Sequence, residues 1–398
     1  MLSVHGYLQA KPLLGQTDTG GQIVYVLELS KHLGKLGLNV DVYTRKFEDY
    51  PTFERVSRDV RIVRIPCGEQ EFIPKEMLFE HLDEFVSNTL KFFERRNLNY
   101  DVIHSHYWDS GYVALKLSEK LGMKFYHTSH SLGALKRKRL GALGGGRYRF
   151  ELRISREREI FEKAKFIIVS TPQEANDYEN YYRISKSKVK VIPPGVDTER
   201  FNPSGFENSK LPKNAIFSLS RIDPRKGLEF LIKAFFEVSK RIDSHLIIGG
   251  GSKNPGDIET SELERLKNLV EKFGLEEKVE FTGYIPDKLV PAYYRGSRIF
   301  VVPSPYEPFG LTILEAMSSK TPVVVTKFGG SRFIVNDGKD GFLVDPQNTK
   351  EFSKVILQLL EDDHLHEKVS EKAFEKVRKK YQWSAVAKRH LELYEQNL

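Results

Sequence analysis

Two acidic residues in the last third of the chain, Glu307 and Glu315, are placed where they could bind a sugar and an anion together. Glu307 lies in a loop with Pro308 and Gly310, and Glu315 follows about one and a half turns into the helix predicted to begin near Gly310. The free N–H groups at a helix N-terminus attract anions. Carboxylates accept hydrogen bonds from sugar hydroxyls. These features together predict contacts to two parts of one ligand.

Arg221 and Lys226 form a second pair of candidate functional residues. They follow the predicted strand Ala215–Ser218, at a strand-to-helix junction. Two cations at such a junction can neutralise a diphosphate leaving group, although an ordinary charged turn has the same composition. If the pair lies near Glu307 and Glu315, the set is typical of a site that grips a nucleotide sugar.

Paired glycines follow the first predicted strand. Gly20 and Gly21 precede Gln22 in the segment 17–22, which opens the first predicted helix. Such glycines let the backbone approach a ligand and present N–H groups to a phosphate. The alternative is a capped turn that binds nothing. The spacing Gly-x-Gly-x-x-Gly of dinucleotide sites is absent from this segment.

Histidines occur at the ends of two predicted strands. His130 follows one strand, where an imidazole can donate a hydrogen bond to a reacting sugar or accept one, although it can also be an ordinary loop residue. His104 and His106 point to the same side of the other strand, with Asp109 beyond them. That set is either half of a metal site or the wall of a substrate pocket. Because no third and fourth ligands are evident, we favour the pocket wall.

The segment Lys136–Arg158 carries much of the positive charge of the chain. Three interpretations are open: binding of an acceptor phosphate, a solvated basic face, or contact with nucleic acid or a membrane. Few aromatic residues are interleaved, Tyr148 and Phe150 being the exceptions, which argues against a base-stacking surface. The run Gly144–Gly146 predicts a loop that can fold over an acceptor. We favour the phosphate site.

The elements that must position these residues alternate between short β-branched runs and longer amphipathic runs, which predicts βαβ units and parallel sheets. Helices are predicted at 23–36, 77–94 and 384–394. The predicted strands are Leu2–His5, Asn39–Tyr43, Val60–Ile65, Val102–Ser105, Lys124–His127, Phe166–Ser170, Val189–Ile192, Ala215–Ser218, His245–Ile248, Val279–Phe281, Ile299–Val302 and Val323–Val325.

A proline-rich exit from the strand at Ile192 and the polar stretch Phe201–Pro212 mark a domain boundary. We therefore predict an α/β protein with two Rossmann-like, doubly wound parallel-sheet domains facing a cleft. The domains are residues 1–200 and 201–382, and the C-terminal helix, about 383–398, can pack back on the first. Open α/β sheets bind ligands at the carboxyl ends of their strands.

The composition is that of a globular protein of more than one core, with 398 residues, 40% of them hydrophobic and 29% charged. No apolar run approaches the roughly 20 residues of a membrane span, and the chain begins without an apolar signal segment. The single cysteine, Cys67, excludes an internal disulfide and favours the cytoplasm. We interpret it as a structural thiol rather than a nucleophile. The net charge of +8 favours an anionic partner.

With these residues in view, the chain resembles the retaining glycosyltransferases of family 4, which have the two-domain GT-B fold. It is similar to the branch that contains sucrose-phosphate synthase, mannosylfructose-phosphate synthase and sucrose synthase. The resemblance spans nearly the whole chain. Its most specific motifs are the segments 18–22, 130–133, 192–195, 220–226 and 306–315.

The resemblance implies a role for each matching residue. The donor sugar would meet His130 at its reacting carbon and Glu307 at its hydroxyls, and Glu315 would bind the ribose. The implied catalytic residues are His130, Arg221, Lys226 and Glu307. The implied donor-binding residues are Gly20, Gly21, Arg221, Lys226, Glu307, Phe309, Gly310, Leu311 and Glu315. The implied acceptor-binding residues are Gln22, Lys75, His106, Lys136 and Arg153.

No metal or other cofactor is implied by the resemblance, because the departing phosphate oxygen of the donor is thought to deprotonate the acceptor on the same face. This agrees with the lack of an obvious activated nucleophile or Asp-x-Asp motif. The chain departs from the family pattern at Leu152, where relatives often have a second arginine beside Arg153. Arg149 or Arg156 can supply the missing contact.

The resemblance therefore implies transfer of a hexosyl group from UDP-glucose or GDP-mannose to a sugar phosphate, most simply fructose 6-phosphate. Two alternatives stay open: a family-4 transferase that acts on a lipid or glycan, and a sugar-nucleotide sensor without activity. The basic segment lacks an apolar face for membrane insertion, which argues against the first. The retained candidate catalytic residues argue against the second. The expected partners are small molecules, without nucleic acid or stable membrane insertion.

Overall fold

A computed structural model describes residues 1–11, 21–140, 149–205, 211–252 and 255–396. The chain divides into two compact units. The first comprises Met1–Pro194 and Val386–Leu398, and the second comprises Gly195–Ala385. Gly20 and the Gly144–Gly146 run lie outside the described residues.

The first unit contains seven strands and six complete helices of the described chain. The strands are β1 Val40–Lys46, β2 Phe53–Ser57, β3 Val60–Pro66, β4 Ile103–His106, β5 Phe125–Thr128, β6 Phe166–Val169 and β7 Val189–Val191. The helices are α1 Gly21–Lys35, α2 Leu82–Arg96, α3 Trp108–Leu121, α4 Gly133–Leu140, α5 Phe150–Lys163 and α6 Pro172–Tyr182.

These strands form two groups, in the orders β1-β3-β2 and β4-β5-β6-β7, and Leu2 pairs in parallel with both Tyr43 of β1 and Ser105 of β4. The predicted first strand is therefore present only as this short bridge. The Val4 N–H donates to Ser110 Oγ (2.9 Å) instead of extending the pairing with β4. Helices pack their apolar faces against the sheet, as Leu82 and Phe85 of α2 show.

The second unit is a six-stranded, fully parallel sheet in the order β10-β9-β8-β11-β12-β13. Its strands are β8 Ala215–Leu219, β9 His245–Gly249, β10 Val279–Gly283, β11 Ile299–Val302, β12 Val323–Thr326 and β13 Phe342–Val344. Its helices are α7 Leu228–Ser239, α8 Asp257–Lys272, α9 Val290–Gly296, α10 Leu311–Ser318, α11 Ser331–Ile334, α12 Thr349–Glu361 and α13 Asp363–Lys380. This is the doubly wound order, whose reversal point lies where β8 meets β11.

The last helix, α14 Trp383–Glu395, begins in the second unit and ends in the first. In the first unit the Tyr394 hydroxyl lies 2.7 Å from His104 Nδ1, and His390 Nε2 lies 3.2 Å from the Tyr25 hydroxyl. In the second unit Trp383 packs on Gly195, where an added Cβ would lie 2.7 Å from the indole. The prediction of a C-terminal helix is confirmed, and its final turns pack on the first unit.

Besides the first strand, three parts of the secondary structure differ from the predictions. Strands β2 and β13 were not predicted, and the helix predicted at 77–94 is a short 3-10 turn, Leu78–His81, followed by α2. Strand β2 pairs antiparallel with β3 and none of its five residues is fully buried, so its sequence lacks a buried apolar run. None of the helices in the described part of the chain is both long enough and apolar enough to cross a membrane.

Candidate functional site

In the second unit, the candidate residues gather at the reversal point of the sheet. The loop after β8 carries Arg221 and Lys226, and the loop after β11 carries Glu307. The two strands are neighbours, so their carboxyl ends meet at one edge. Lys226 Nζ accordingly lies 3.1 Å from Glu307 Oε2, with both side chains partly buried. Arg221 is exposed on the same loop as Lys226.

Gly227 sets the path of the loop that carries Lys226. Its φ is +67°, and an added Cβ would lie 2.3 Å from the Pro303 carbonyl oxygen. A larger residue would therefore push this loop away from the one that carries Glu307. Asp223 caps the preceding 3-10 turn by accepting from the Arg225 N–H at 2.9 Å.

The glycines after β12 hold the Glu307 loop from its other side. Gly329 has a φ of +96°, and an added Cβ would lie 2.1 Å from the Glu307 carbonyl oxygen. The Gly330 N–H donates to that same oxygen at 2.7 Å. The Phe328–Gly330 segment thus fixes the backbone of Glu307 and leaves its side chain to meet Lys226.

The helix with the second acid begins as predicted. Gly310, with a φ of +94°, precedes α10, and Glu315 lies within it. The Tyr294 hydroxyl donates to Glu315 Oε2 at 2.8 Å. Burial raises the pKa of Glu315, while the Tyr294 hydrogen bond lowers it. Phe309 packs against the apolar core of the second unit, and Leu311 begins the helix.

In the first unit, His130 and His106 lie side by side. His106 Nδ1 is 3.1 Å from His130 Nε2, and the two rings are stacked with centroids 5.3 Å apart. His130 has a φ of +55°, an uncommon conformation for a residue with a side chain. Burial, with a smaller contribution from His5, lowers the pKa of His130 to about 3. The imidazole is therefore neutral at physiological pH and can exchange hydrogen bonds with a sugar.

His104 and His106 point to the same side of β4, as predicted, with ring centroids 4.3 Å apart. They differ in their hydrogen bonding. His104 lies within hydrogen-bond distance of Thr128 Oγ1 and the Tyr394 hydroxyl, whereas the buried His106 Nε2 has no partner among the described residues. His106 is thus the one of the pair that keeps a ring nitrogen for a further contact.

Gln22 lies one residue into α1, which begins at Gly21. Its amide Nε2 is 3.4 Å from Ser3 Oγ and 3.5 Å from the His106 carbonyl oxygen. The prediction that the glycine segment opens a helix is confirmed at Gly21. Gln22 is also near His106, another residue predicted to bind the acceptor.

The residues predicted to hold the acceptor phosphate line one pocket of the first unit. Lys75, Lys136 and Arg153 occur together there, although they come from three separate segments. Arg149, named from the sequence as a substitute cation, lines the same pocket, whereas Arg156 does not. We call this pocket, lined by Lys75, Tyr107, Lys136, Arg149 and Arg153, the acceptor pocket, after the role that the resemblance implies for three of its cations.

Arg153 is buried in the wall of the acceptor pocket and has several protein partners. Its Nε donates to Glu157 Oε1 at 2.7 Å, and one terminal nitrogen donates to the Tyr107 hydroxyl at 2.9 Å. The other donates to the Ser131 carbonyl oxygen at 2.6 Å. Arg153 therefore orients the loop after His130 as well as lining the pocket.

Sequence reasoning missed the contact between His5 and Asp109. His5 Nδ1 lies 2.6 Å from Asp109 Oδ2, both groups are buried, and the His5 ring packs edge-on against Tyr107. The sequence did contain a signal for this contact. A strand ending at His5 would lie beside the strand ending at His106, and helix α3 follows that second strand, so His5 would lie near the start of α3. Asp109 thus has a histidine partner within the fold.

The described residues contain no group of three or more His, Cys, Asp or Glu arranged to hold a metal ion. Cys67 is buried, and burial raises the pKa of its thiol to about 12. The thiol is therefore protonated at physiological pH, as expected for a structural residue rather than a nucleophile.

Comparison with known proteins agrees with the two-unit architecture. Residues 19–200 match the model of glycosyltransferase family 4, and residues 200–376 match that of glycosyl transferases group 1. The chain is 38% identical to mannosylfructose-phosphate synthase of Agrobacterium fabrum, over 99% of this chain and 90% of that protein. It is 36% identical to a probable sucrose-phosphate synthase of Thermosipho melanesiensis, over 95% and 91%.

The fold has a solved counterpart. Sucrose-phosphate synthase of Thermosynechococcus elongatus superposes with a TM-score of 0.84 at 32% identity, covering 99% of this chain and 97% of that one. The resemblance inferred from the motifs is therefore confirmed along the full length. The chain belongs to glycosyltransferase family 4, whose members have the GT-B fold.

Proposed function

We propose that the protein transfers a hexosyl group from a nucleotide sugar to fructose 6-phosphate, with retention of configuration at the sugar carbon. The observation that carries this proposal is the acceptor pocket, where Lys75, Lys136, Arg149 and Arg153 converge. Several cations around one pocket are suited to a phosphate dianion. A site that binds a lipid surface would instead have an exposed apolar face beside its cations.

The second unit supplies the groups that a nucleotide-sugar donor requires. Lys226 and Arg221 can neutralise the diphosphate as its bond to the sugar breaks, which stabilises charge that develops in the transition state. Glu307, positioned by Lys226 at 3.1 Å, can accept hydrogen bonds from donor hydroxyls. Glu315, in the middle of α10, is the residue that we propose accepts hydrogen bonds from the ribose.

The reaction needs no protein nucleophile in this proposal. The departing phosphate oxygen takes the proton of the acceptor hydroxyl, and the new bond forms on the face that the leaving group vacates. Neutral His130 forms a hydrogen bond with a hydroxyl group of the donor sugar beside the reacting carbon. We also propose that the enzyme needs no metal ion and acts in the cytoplasm, in keeping with its single buried cysteine.

Two donors fit the proposal. Both named relatives make hexosyl-fructose phosphates by their names, one with a mannosyl group and the other as the phosphate of sucrose. UDP-glucose would yield sucrose 6-phosphate, and GDP-mannose would yield mannosylfructose phosphate. Both products contain phosphorylated fructose. We therefore propose fructose 6-phosphate as the acceptor with either donor.

The test is to incubate the protein with UDP-glucose or GDP-mannose, each with and without fructose 6-phosphate, and to measure nucleotide release. We expect release with one donor that depends on fructose 6-phosphate, and a product whose new bond keeps the configuration of the donor. Free fructose serves as the matched acceptor control. Failure of fructose 6-phosphate to stimulate release with both donors would overturn the proposed acceptor and favour a lipid or glycan.

A further inference from the structure

A second pocket of the first unit is separate from the acceptor pocket. It lies between the loop 47–52, the segment 66–70 and helix α2, and it shares no lining residue with the acceptor pocket. Its volume is about 700 Å³. Pockets of about 300–1,000 Å³ are typical of small-molecule sites. We call it the α2 pocket.

Three cations of the α2 pocket have no charged partner within the described parts of the chain. Lys46 lies at the end of β1, and Lys91 and Arg95 lie four residues apart on one face of α2. None of the three forms an ion pair or a side-chain hydrogen bond with any residue in the described ranges. Elsewhere in the first unit many surface cations are paired, as Arg61 is with Asp41 at 2.7 Å. Unpaired cations around one pocket favour an anionic ligand.

The walls of the α2 pocket are held in place by buried arginines. Arg64 donates to the Pro51 carbonyl oxygen at 3.0 Å and to that of Leu8 at 2.9 Å, which fixes the loop 47–52. Arg45 donates to the Glu69 carbonyl oxygen at 2.9 Å, which fixes the segment on the opposite wall. The pocket is therefore preformed, and its ligand would not have to order these loops.

The remaining lining groups suit a polyhydroxylated ligand. Glu48 and Asp49 are exposed acids that can accept hydrogen bonds from hydroxyls. Phe92 and Tyr50 offer partly buried ring faces. The Asn88 amide donates to the Pro66 carbonyl oxygen at 2.9 Å, so the side chain is oriented. A simple anion would use the cations alone, whereas a phosphorylated sugar would use both sets.

We propose that the α2 pocket is a second binding site for a phosphorylated sugar, with Lys46, Lys91 and Arg95 around the phosphate. The site lies on the same edge of the sheet as the acceptor pocket, because both follow the carboxyl ends of parallel strands. The segment 66–76 contributes to both pockets, with Gly68 in one and Lys75 in the other. The inference does not depend on the catalysed reaction.

The experiment measures binding of glucose 6-phosphate directly, by calorimetry, to the full chain with Lys136→Ala, which weakens the acceptor pocket. The backbone amide resonances of Gly68 and Gln70 report where the ligand binds. Adding Lys91→Ala and Arg95→Ala is expected to weaken binding about tenfold or more, since charge-assisted hydrogen bonds are lost. Adding Lys120→Ala and Lys163→Ala, two exposed cations of the same unit outside both pockets, is the matched control and should change nothing.

The outcomes are distinct. Glucose and inorganic phosphate should each bind at least about tenfold more weakly than glucose 6-phosphate, because each uses half of the site. Equal binding by either one overturns the phosphorylated-sugar class. Unchanged affinity in the Lys91→Ala, Arg95→Ala protein overturns the site itself, and the charge reversal Lys91→Glu provides a second variant with the same expected loss. Because no turnover is measured, these results are independent of the proposed transferase activity.

Discussion

Lys226 and Glu307, 81 positions apart in the chain, meet at the reversal point of the second sheet with Nζ and Oε2 separated by 3.1 Å. The pairing follows from topology, because β8 and β11 are adjacent and parallel. In the proposed mechanism each of the two side chains binds a different part of the nucleotide sugar. The cation can exchange its carboxylate partner for the diphosphate, and the carboxylate is then available to the sugar hydroxyls.

The first prediction concerns this cation. Lys226→Ala is expected to lower kcat by about two to three orders of magnitude, because a group that stabilises transition-state charge is lost. Turnover is measured by nucleotide release with both substrates saturating. Lys233→Ala, a loss of one cation from the neighbouring helix α7, is the control and should retain activity. Near-normal turnover in Lys226→Ala would refute the role.

The second prediction concerns acceptor specificity. Lys136→Ala is expected to raise KM for fructose 6-phosphate far more than for free fructose, because the side chain lines the acceptor pocket and its charge complements the phosphate. Initial rates with the two acceptors give the ratio. Lys138→Ala, in the same segment but outside the pocket, is the control; its Nζ contacts the Tyr181 hydroxyl. Equal effects on both acceptors would discard the phosphate site.

Much of this arrangement was predictable because strand order determines which loops meet. The convergence of Lys226 with Glu307 follows from the alternating strands and their carboxyl ends. The grouping of Lys75, Lys136 and Arg153 was implied by the family resemblance, because two of them lie within helices rather than at strand ends. Contacts that depend on side-chain direction were not predictable. The His5–Asp109 pair depends on where the bridge at Leu2 ends. The Tyr294–Glu315 hydrogen bond depends on how α9 packs beside α10, which periodicity does not specify.

The ion pair of the buried Arg153 is another contact that the sequence does not predict. The sequence predicts a cation for a phosphate, but it does not show that the cation sits against Glu157. Arg153→Met leaves the buried Glu157 carboxylate without its cation, and breaking such a pair costs about 3–5 kcal/mol. The double variant with Glu157→Gln should be destabilised by less. Urea unfolding of the first unit measures the stability of the single and the double variant. Unfolding is followed by the fluorescence of Trp108 in proteins that also carry Trp383→Phe, so that Trp108 is the one remaining tryptophan. Equal losses of stability in the two variants would contradict the pairing argument.

Metal independence is a separate prediction. The proposed mechanism neutralises the diphosphate with Arg221 and Lys226, so turnover should persist in excess chelator and should not rise on addition of Mg²⁺ or Mn²⁺. Nucleotide release before and after chelation measures this. A known metal-dependent transferase under the same conditions is the positive control. Loss of activity with chelator, restored by a divalent cation, would overturn the mechanism.

The buried histidines of the first unit predict a loss of stability in acid. Burial lowers the pKa of His127 and His130 to about 3 and that of His390 to about 4, whereas a histidine in the unfolded chain titrates near about 6.5. Between those values the unfolded state binds more protons than the folded state. The free energy of unfolding therefore falls as the pH decreases from about 6.5 towards 4.

His390→Gln should flatten this pH dependence, because one titrating group is removed. The free energy of unfolding is measured by Trp108 fluorescence in the Trp383→Phe background. His81→Gln, at a partly exposed site, should leave the slope less affected. If His390→Gln keeps the full slope, the buried imidazole of α14 does not contribute to acid sensitivity, and the other histidines must carry it.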